Sequence, residues 1–526
     1  MPSNETYLFK EASTPEEFFA IARLNHQIFV EEVGQHPATG TGSLVDPFSA
    51  KSDYFIAKRD DSLVGMVAVH DQPPFSVAAK MPDPSRLDAL GPRLLEVRLL
   101  AIEPAHRRSR VFAGLLYAVL TRAVAQNHTH LLISAVDAQR ALYERLGFCS
   151  LGPPVQRGRA FFTPMALEVQ SLCPVTVNRF RKWATGAHPV ALLPGPVQVS
   201  TLVKRAFAIP PISHRSKAFI DEFEDVRNRL QNLSGLRTAL FPGSGTLAND
   251  VVGAAIAADR SRQKGLVLVN GEFGDRLANH ARRWRLPHEV LRWEWTERWD
   301  LDRIRLLLDR DSAINWIWAV HLETSTGRLN DLCGLRELVQ GRSVDIYLDC
   351  VSSFGAVEPH LESVSLATTV SGKSLGAYAG VAAVFVAEPE RFDSKSFPPS
   401  LDLPATVKAV GPLTTFASPV IRALREALKT QDTKKWRGYA AQGEWVRNRL
   451  TEIGLHPLVR GKDAAPVITT FSPRTGECSL SVVKRCAMAG ILIAGESDYL
   501  IKRNILQIAS MGDVQVDQLE PLFAVL

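Results

Sequence analysis

β-type runs and helical stretches alternate with short turns from about residue 189 onward. Such alternation favours a mostly parallel sheet with helices on both of its faces. We therefore expect a large α/β domain over residues 189–430. A charged helical stretch then opens residues 431–526, for which we expect a smaller α/β subdomain.

A different pattern covers residues 1–170, where short β-type runs surround two helical stretches. The first helix is predicted to begin at Thr14, which precedes Pro15 and lies three residues before Glu17. These residue types at these positions are typical of a capped helix start. The proline-bearing stretch over residues 171–188 predicts a linker between this mixed α/β domain and the rest of the chain.

The charge balance excludes some classes of partner. The 61 Lys and Arg residues exceed the 55 Asp and Glu residues only slightly, and no basic block concentrates the excess. We therefore expect no binding to nucleic acid or to an anionic membrane. The longest apolar run, Ala377–Ala387, is too short for a membrane span, and the N-terminus lacks an export pattern. Six cysteines without a CxxC pair predict neither a disulfide framework nor a metal site. We expect a cytoplasmic protein.

The run FPGSGTLAND reads as a strand, a turn of small residues and a helix. Small residues let the backbone approach a ligand closely, and the free N–H groups of a helix start favour an anion. Ser244 and Thr246 add hydroxyl donors to this turn. The motif therefore indicates an anion site, although a plain turn before a helix has the same sequence signature.

Two charged residues follow apolar runs further along the chain. Asp349 ends the run Val344–Leu348, and Lys373 lies 24 residues later between an apolar run and a glycine-dotted one. Ligands of α/β proteins bind at the carboxyl ends of strands. Burial of an ammonium group is costly and lowers its pKa, which suits an amine that forms a Schiff base. Asp349 is equally compatible with an ordinary residue at the end of a strand.

Seven ordered motifs in residues 189–526, namely LLPGPVQVS, ISHRS, FPGSGTLAND, VNGEFGDR, HLETSTG, YLDCVSSFGA and SGKSLGAYAG, resemble the class V aminotransferases of pyridoxal-phosphate fold type I. The alanine–glyoxylate, serine–pyruvate and 2-aminoethylphosphonate transaminases are similar members of that family. The resemblance implies that Lys373 binds pyridoxal 5'-phosphate covalently and that Asp349 pairs with the ring nitrogen. It further implies an enzyme acting on small amino and keto acids.

The same resemblance assigns the remaining contacts of the cofactor. Ser244, Gly245 and Thr246 match the phosphate cup, and Thr324 matches a hydroxyl residue beside the phenolic oxygen. The implied ring-packing residues are Phe273 and Val351, which are also compatible with plain core positions. Thr415 matches a threonine that reaches the phosphate of the partner subunit, which implies a homodimer with a shared active site.

One position departs from the family pattern. Gln507 stands where the family has an arginine that binds the substrate carboxylate, and glutamine supplies neither the charge nor the forked geometry. Either Arg503 substitutes from nearby, or the substrate presents no ordinary α-carboxylate there. A lyase or desulfurase reaction therefore stays open beside transamination.

The stretch from Glu96 to Phe148 resembles the GNAT acyltransferase superfamily, and the resemblance covers about residues 5–170. That fold implies a helix start that binds the pyrophosphate of the acyl donor, and a second strand that diverges so that the thioester fits between the strands. At the positions of the usual Arg-x-x-Gly-x-Gly/Ala loop this chain has Arg107, Arg110 and Phe112, so both glycine positions hold bulky residues. Arg107, Arg108 and Arg110 make the turn basic instead. They attract a phosphorylated carrier or, alternatively, form a solvated basic turn.

The missing glycines and the stretch RLNHQIFVEEVG are similar to N-acyl amino acid synthases and homoserine-lactone synthases. This similarity implies acyl-CoA or acyl carrier protein as the acyl donor. Tyr143 is then a candidate proton donor to the leaving thiolate, and Glu96 a candidate base or amine-orienting group; Tyr143 also fits a core position. We therefore expect a bifunctional enzyme, with a non-catalytic binding module as the alternative for the N-terminal half.

Overall fold

The computed structural model describes residues 7–37, 40–172, 177, 180–182, 189–259, 261 and 263–526. The chain divides into two compact units. The first comprises Met1–Pro189 with Lys484–Ile491, and the second comprises Val190–Val483 with Leu492–Leu526. Within the described ranges, no helix combines the length and the apolar character that crossing a membrane requires.

The first unit is built on one mixed sheet. Its strands are β1 (Leu8–Glu11), β2 (Asp53–Arg59), β3 (Ser62–His70), β4 (Leu94–Ile102), β5 (His130–Val136), β6 (Cys149–Ser150), β7 (Val155–Arg157) and β8 (Ala160–Glu168). The strand order is β1-β2-β3-β4-β5-β8-β6, with β7 also paired to β8. Its described helices are α1 (Pro15–Asn25), α2 (Val111–Ala125) and α3 (Arg140–Arg145).

Helix α1 begins as the sequence predicts. The Thr14 side chain accepts a hydrogen bond from the Glu17 backbone, Glu17 completes a capping box, and Pro15 is the first helical residue. Together these contacts satisfy backbone donors that the first turn of a helix leaves free. The chain then continues as a π-helical segment, His26–Glu32.

The central strands of this sheet diverge. β4 and β5 run parallel but pair only over Leu94–Glu96 and His130–Leu132, although β4 continues to Ile102 and β5 to Val136. β3 and β4 also lose register near Met66, and Leu99 of β4 has a left-handed φ of 50°. The sheet therefore opens between β4 and β5 instead of closing along their full length.

The second unit contains the predicted parallel sheet. The strands after residue 189 are β9 (Val190–Leu192), β10 (Arg237–Gly243), β11 (Lys264–Val269), β12 (His288–Arg292), β13 (Ile314–Val320), β14 (Leu322–Glu323), β15 (Arg328–Leu329), β16 (Asp345–Asp349), β17 (Leu366–Val370), β18 (Gly380–Val386), β19 (Ile468–Phe471), β20 (Ile491–Ile493) and β21 (Leu506–Ala509). The large sheet has the order β10-β18-β17-β16-β13-β11-β12. Strands β12, β11, β13, β16 and β17 are parallel, and β18 is antiparallel to both of its neighbours.

The described helices after residue 189 are α4 (Thr201–Phe207), α5 (Lys217–Ser234), α6 (Gly245–Ala258), α7 (Glu272–Arg283), α8 (Leu301–Arg310), α9 (Leu332–Val339), α10 (Leu403–Lys408), α11 (Ser418–Leu428), α12 (Thr433–Glu452), α13 (Ser479–Met488), α14 (Asp498–Arg503) and α15 (Val516–Phe523). Two apolar clusters, one on each side of the large sheet, bury strand residues such as Ile317 and Trp318 of β13. Burial on both faces explains why these strands read as nearly continuous apolar runs. The expected α/β fold is therefore confirmed. In the C-terminal part, β19 and β21 pair antiparallel.

Candidate functional site

A pocket of about 770 Å³ lies at the carboxyl ends of the parallel strands of the second unit. Strand β16 ends there at Asp349, and β17 ends three residues before Lys373. Eight residues predicted from the sequence line this pocket: Ser244, Gly245, Thr246, Phe273, Thr324, Asp349, Val351 and Lys373. The fold therefore brings together side chains that are more than 100 residues apart in the sequence, because the carboxyl ends of parallel strands meet at one sheet edge.

Lys373 faces this pocket as a buried amine. Its Nζ donates to Ser352 Oγ at 3.2 Å and lies 5.5 Å from the centre of the Phe273 ring. Burial lowers the pKa of Lys373 to about 8, with Asp349 acting in the opposite direction. A substantial fraction of this amine is therefore neutral near physiological pH, as a nucleophilic lysine requires.

Asp349 is a buried carboxylate without an ion-pair partner among the described residues. Its two oxygens accept hydrogen bonds from Asn249 Nδ2 and from the Val351 backbone, both at 2.8 Å. Burial raises the pKa of Asp349, and these hydrogen bonds oppose that effect. Asn249 is itself held by Thr368, whose hydroxyl donates to it at 3.2 Å. Such a carboxylate is oriented by its neighbours and fits a cationic ligand group.

The anion site predicted from FPGSGTLAND lies at the start of helix α6. Ser244 is the N-cap residue, and its Oγ accepts from the Leu247 backbone at 3.4 Å. A Cβ at Gly245 would lie 2.9 Å from the Val351 side chain, so only glycine fits between the helix start and that residue. The first N–H groups of a 14-residue helix therefore face the pocket and can bind a phosphate.

Two polar residues that sequence reasoning missed organise the opposite wall. Glu323 is fully buried and accepts from the backbones of Phe273 and Gly274 at 3.3 and 3.0 Å, and from Ser325 Oγ. It thereby caps helix α7 and fixes Phe273. Ser352 shares a 2.6 Å hydrogen bond with Thr324 Oγ1, in addition to its contact with Lys373. The motif HLETSTG contains Glu323, but its position next to Thr324 was the only available signal.

Three predicted residues do not line the pocket. Thr415 is exposed. Arg503 stacks on Trp295, with its guanidinium carbon 3.6 Å from the ring centre. Gln507, in β21, is fully buried. A further cation that the sequence did not single out, Arg276, does line the pocket and packs over Phe273.

Gln507 is saturated by hydrogen bonds. Its amide nitrogen donates to the backbone oxygens of Thr324 and Ser325 and, at 3.1 Å, to Thr470 Oγ1. Its amide oxygen accepts from the Tyr499 hydroxyl at 3.2 Å. These contacts connect the pocket wall to the C-terminal strand pair, so in this structure Gln507 has the geometry of a structural residue.

We expect Gln507→Leu to lower the free energy of unfolding by about 2–4 kcal/mol, because it leaves several buried polar groups without partners. Chemical denaturation of the two proteins without cofactor measures the difference. Gln518→Leu is a control on a partly exposed amide of helix α15. Equal stability of the Gln507 variant and the unmodified protein would contradict the structural role.

A second cavity, of about 160 Å³, occupies the gap between β4 and β5 in the first unit. Apolar side chains dominate its lining, including Val97, Leu116 and Ile133. Tyr143 also lines it and packs edge-on against Phe148. Burial raises the pKa of Tyr143 to about 12, so this hydroxyl keeps its proton near neutral pH and is not available as a base.

Glu96 lies on β4 but outside the cavity lining. It is buried and accepts from the Ser76 backbone, the Ser76 hydroxyl and the Val77 backbone at 2.7, 2.8 and 2.6 Å. His70 Nε2 lies 2.9 Å from the same carboxylate. Burial raises the pKa of Glu96, but the hydrogen bonds from His70 and Ser76 outweigh burial and hold it below its usual range. These contacts favour a positioning role for Glu96 and make it a weak base.

The predicted basic turn precedes helix α2. Arg107 is engaged in a two-point ion pair with Glu32, with one bond at 2.6 Å, and donates to the Ile102 backbone at 3.1 Å. Arg108 is exposed, and Arg110 is the N-cap residue of α2. The three arginines therefore lie together at one helix start, and none of them lines the cavity.

The two halves of the chain are similar to different known proteins. Residues 20–168 match the family model described as N-acyl amino acid synthase FeeM. A 2-aminoethylphosphonate–pyruvate transaminase of Pseudomonas aeruginosa PAO1 is 30% identical over 306 residues, covering 54% of this chain and 81% of that protein. An uncharacterised aminotransferase of Methanocaldococcus jannaschii is 32% identical over 201 residues, and the chain spans about half, 52%, of its length.

Solved structures resemble the second half of the chain. The crystal structure of an alanine–glyoxylate aminotransferase from Nostoc sp. superimposes with a TM-score of 0.58 at 26% identity. The match covers 64% of this chain and 95% of that one.

Proposed function

Over its C-terminal part the chain belongs to the class V aminotransferase family, and from this premise we propose a bifunctional enzyme. Its second half transfers amino groups with pyridoxal 5'-phosphate, and its first half transfers an acyl group to an amine. We further propose that it acts as a cytoplasmic homodimer. In that dimer the exposed Thr415 would reach the phosphate bound by the partner subunit.

One observation supports the aminotransferase activity above the others. A buried carboxylate without a cation, Asp349, and a buried amine with a lowered pKa, Lys373, face the same pocket. Pyridoxal phosphate would satisfy both, because it offers an aldehyde to the amine and a ring nitrogen that becomes cationic beside the carboxylate. The bound cofactor supplies an electron sink for negative charge at the substrate Cα.

The remaining pocket residues would hold and orient this cofactor. The start of helix α6, with Ser244 and Thr246, would bind the phosphate, while Phe273 and Val351 would pack against the two faces of the ring. Ser352 and Thr324 form a hydroxyl chain that ends at Lys373 Nζ. This chain can orient the amine and exchange a proton with it.

The lowered pKa of Lys373 predicts a pH dependence of cofactor binding. Only the neutral amine is nucleophilic, and the pKa is about 8. We expect the rate at which added pyridoxal phosphate develops its visible absorption to rise with pH up to about pH 8 and to level off above it. Stopped-flow absorbance on cofactor-free protein measures this rate. A rise that continued to the pKa range of an exposed lysine would contradict the buried amine.

We propose as substrates small amino compounds of the kinds that the relatives' names give, alanine or 2-aminoethylphosphonate, with pyruvate or glyoxylate as amino acceptor. Gln507 favours a substrate without a carboxylate at its position, since it has no charge and no free hydrogen-bonding group. In the test, the full-length chain with cofactor receives each donor and acceptor. Formation of one keto product per amino group transferred is expected. Release of ammonia or sulfide without transfer would instead support a lyase or desulfurase.

For the first half, the supporting observation is the apolar cavity that opens where β4 and β5 part. An acyl chain and its thioester would fit between the strands, with acyl-CoA or an acyl carrier protein as donor. Arg107, Arg108 and Arg110 would attract the phosphate groups of that donor, and Tyr143 would protonate the leaving thiolate. Release of free thiol from a long-chain acyl-CoA or acyl carrier protein, dependent on an added amine, tests this activity. No release with any donor would favour a binding module.

A further inference from the structure

The cavity of the first unit has lining residues from elements on both faces of the sheet. On one face, Leu131 and Ile133 of β5 belong to the apolar core beneath helix α2. On the other face, Leu132 packs with Val77 and Met81. The cavity is lined from both sides, because the separation of β4 and β5 connects the two faces. The basic turn at the start of α2 lies on the first face, so an acyl donor held there leaves the second face open to the amine.

Lys80 lines the cavity from this second face. It ends the short helical turn Ala78–Lys80 between Val77 and Met81, and its Nζ lies 4.8 Å from the centre of the Phe162 ring. No carboxylate lies within ion-pair distance of it in the described part of the chain. The face of the Phe162 ring favours the ammonium form modestly, but burial without an ion-pair partner outweighs that contact and disfavours the charge.

The charged groups around Lys80 do not supply a partner. Glu96 already accepts hydrogen bonds from Ser76 and Val77. Asp46 accepts from Arg98, at 2.9 and 3.0 Å, and from the Tyr54 hydroxyl. Burial lowers the pKa of Lys80 to about 8. The negative charge of Glu96 acts against this effect, whereas the nearby cations Arg98 and Arg157 add to it. Burial lowers the pKa of His36, and the positive charge of Lys80 lowers it further.

The cavity offers few alternatives for proton transfer. Its other titratable lining residues within the described chain are Arg98, which is paired with Asp46, and Tyr143, which keeps its proton. Ser134 Oγ also faces the cavity and is buried without a hydrogen-bond partner. A hydroxyl in this position can hold an amine, but it cannot accept a proton near neutral pH.

We propose that Lys80 is the general base of the acyltransferase half, taking a proton from the amine that will be acylated. The inference rests on the acyl transfer proposed above. Neutral Lys80 accepts one proton from the substrate ammonium and passes it to water. The free amine then attacks the thioester carbonyl, the C–N bond forms and the C–S bond breaks. Tyr143 donates its proton to the sulfur, which leaves as a thiol, and the second proton lost by the nitrogen restores the proton of Tyr143.

The test compares two acceptor amines with a long-chain acyl-CoA at pH 7. An alkylamine acceptor such as glycine is protonated at this pH, whereas hydroxylamine is largely neutral and needs no prior deprotonation. We expect Lys80→Met to lower kcat/KM for glycine by about 10²–10⁴-fold and for hydroxylamine by less than about tenfold. Hydroxylamine also attacks thioesters without enzyme, so its rate is taken after subtraction of the enzyme-free reaction. Activity that remains above this background shows that the variant is folded. The matched control is Arg145→Gln, which removes an exposed positive charge from the same unit.

Lys80→Arg separates a base from a plain positive charge. Arginine keeps the charge but cannot give up its proton, so we expect it to behave like Lys80→Met. Recovery of glycine acylation by Lys80→Arg would overturn the proposal in favour of anion binding. Equal losses with both amines would also overturn it, because they indicate a structural role. If the unmodified protein released no more thiol than the enzyme-free reaction with either amine and any donor, the proposed acyltransferase activity would be wrong, and this inference with it.

Discussion

Lys373→Ala is expected to remove the visible absorption that the protein acquires with pyridoxal phosphate and to lower the aminotransferase rate by about a thousandfold or more. The variant loses both the amine that would bind the cofactor covalently and the group that would move the proton at the substrate Cα. Its Nζ is the cavity-facing amine held by Ser352. Absorbance spectra and single-turnover rates with 2-aminoethylphosphonate and alanine measure the two effects.

A second buried lysine provides the control. Lys435 also has a pKa lowered by burial to about 8, but it lines another pocket. Lys435→Ala should keep the absorption band and most of the activity. An unchanged band in Lys373→Ala would refute the assignment of the cofactor-binding amine.

Asp349→Asn is expected to lower the aminotransferase rate by about 10²–10³-fold, because the neutral amide cannot stabilise a cationic ring nitrogen in a buried site. Stability should respond much less. The amide loses one of the hydrogen bonds from Asn249 and Val351 but removes a buried charge that has no cation partner. The free energy of unfolding of the cofactor-free protein should therefore stay within about 1–2 kcal/mol of the original.

The contrast between activity and stability makes this prediction specific. Steady-state kinetics gives the first quantity, and denaturant unfolding gives the second. Asp402→Ala, which removes the N-cap of helix α10 outside the pocket, should show the opposite pattern, with a loss of stability and unchanged kinetics. Wild-type turnover by Asp349→Asn would contradict the proposed ring contact.

The sequence predicted features that depend on local pattern. Alternating strands and helices identified the parallel sheet, and the cap at Thr14 identified the start of α1. Asp349 and Lys373 could be placed together because each follows a strand whose carboxyl end meets the same sheet edge. Local order and sheet topology were sufficient for these cases.

The residues that sequence analysis missed or left open depend on contacts over long separations. Glu323 meets residues 49 and 50 positions away, and Gln507 meets backbone oxygens more than 180 positions away. The sequence did not single out Lys80. Its lowered pKa depends on burial beside Phe162 and on nearby carboxylates that already bind other groups. No periodicity or short motif reports whether a polar residue has found a partner across the fold.

The cap that Glu323 forms on helix α7 has a consequence for the thermodynamics of loading. Its carboxylate already holds the turn that bears Phe273, and a Cβ at Gly271 would lie only 2.5 Å from it. The aromatic wall is thus immobilised during folding, before any ligand arrives. Binding of pyridoxal phosphate should therefore cost the protein little conformational entropy on this side of the pocket. The position of Phe273 should be the same with and without the cofactor.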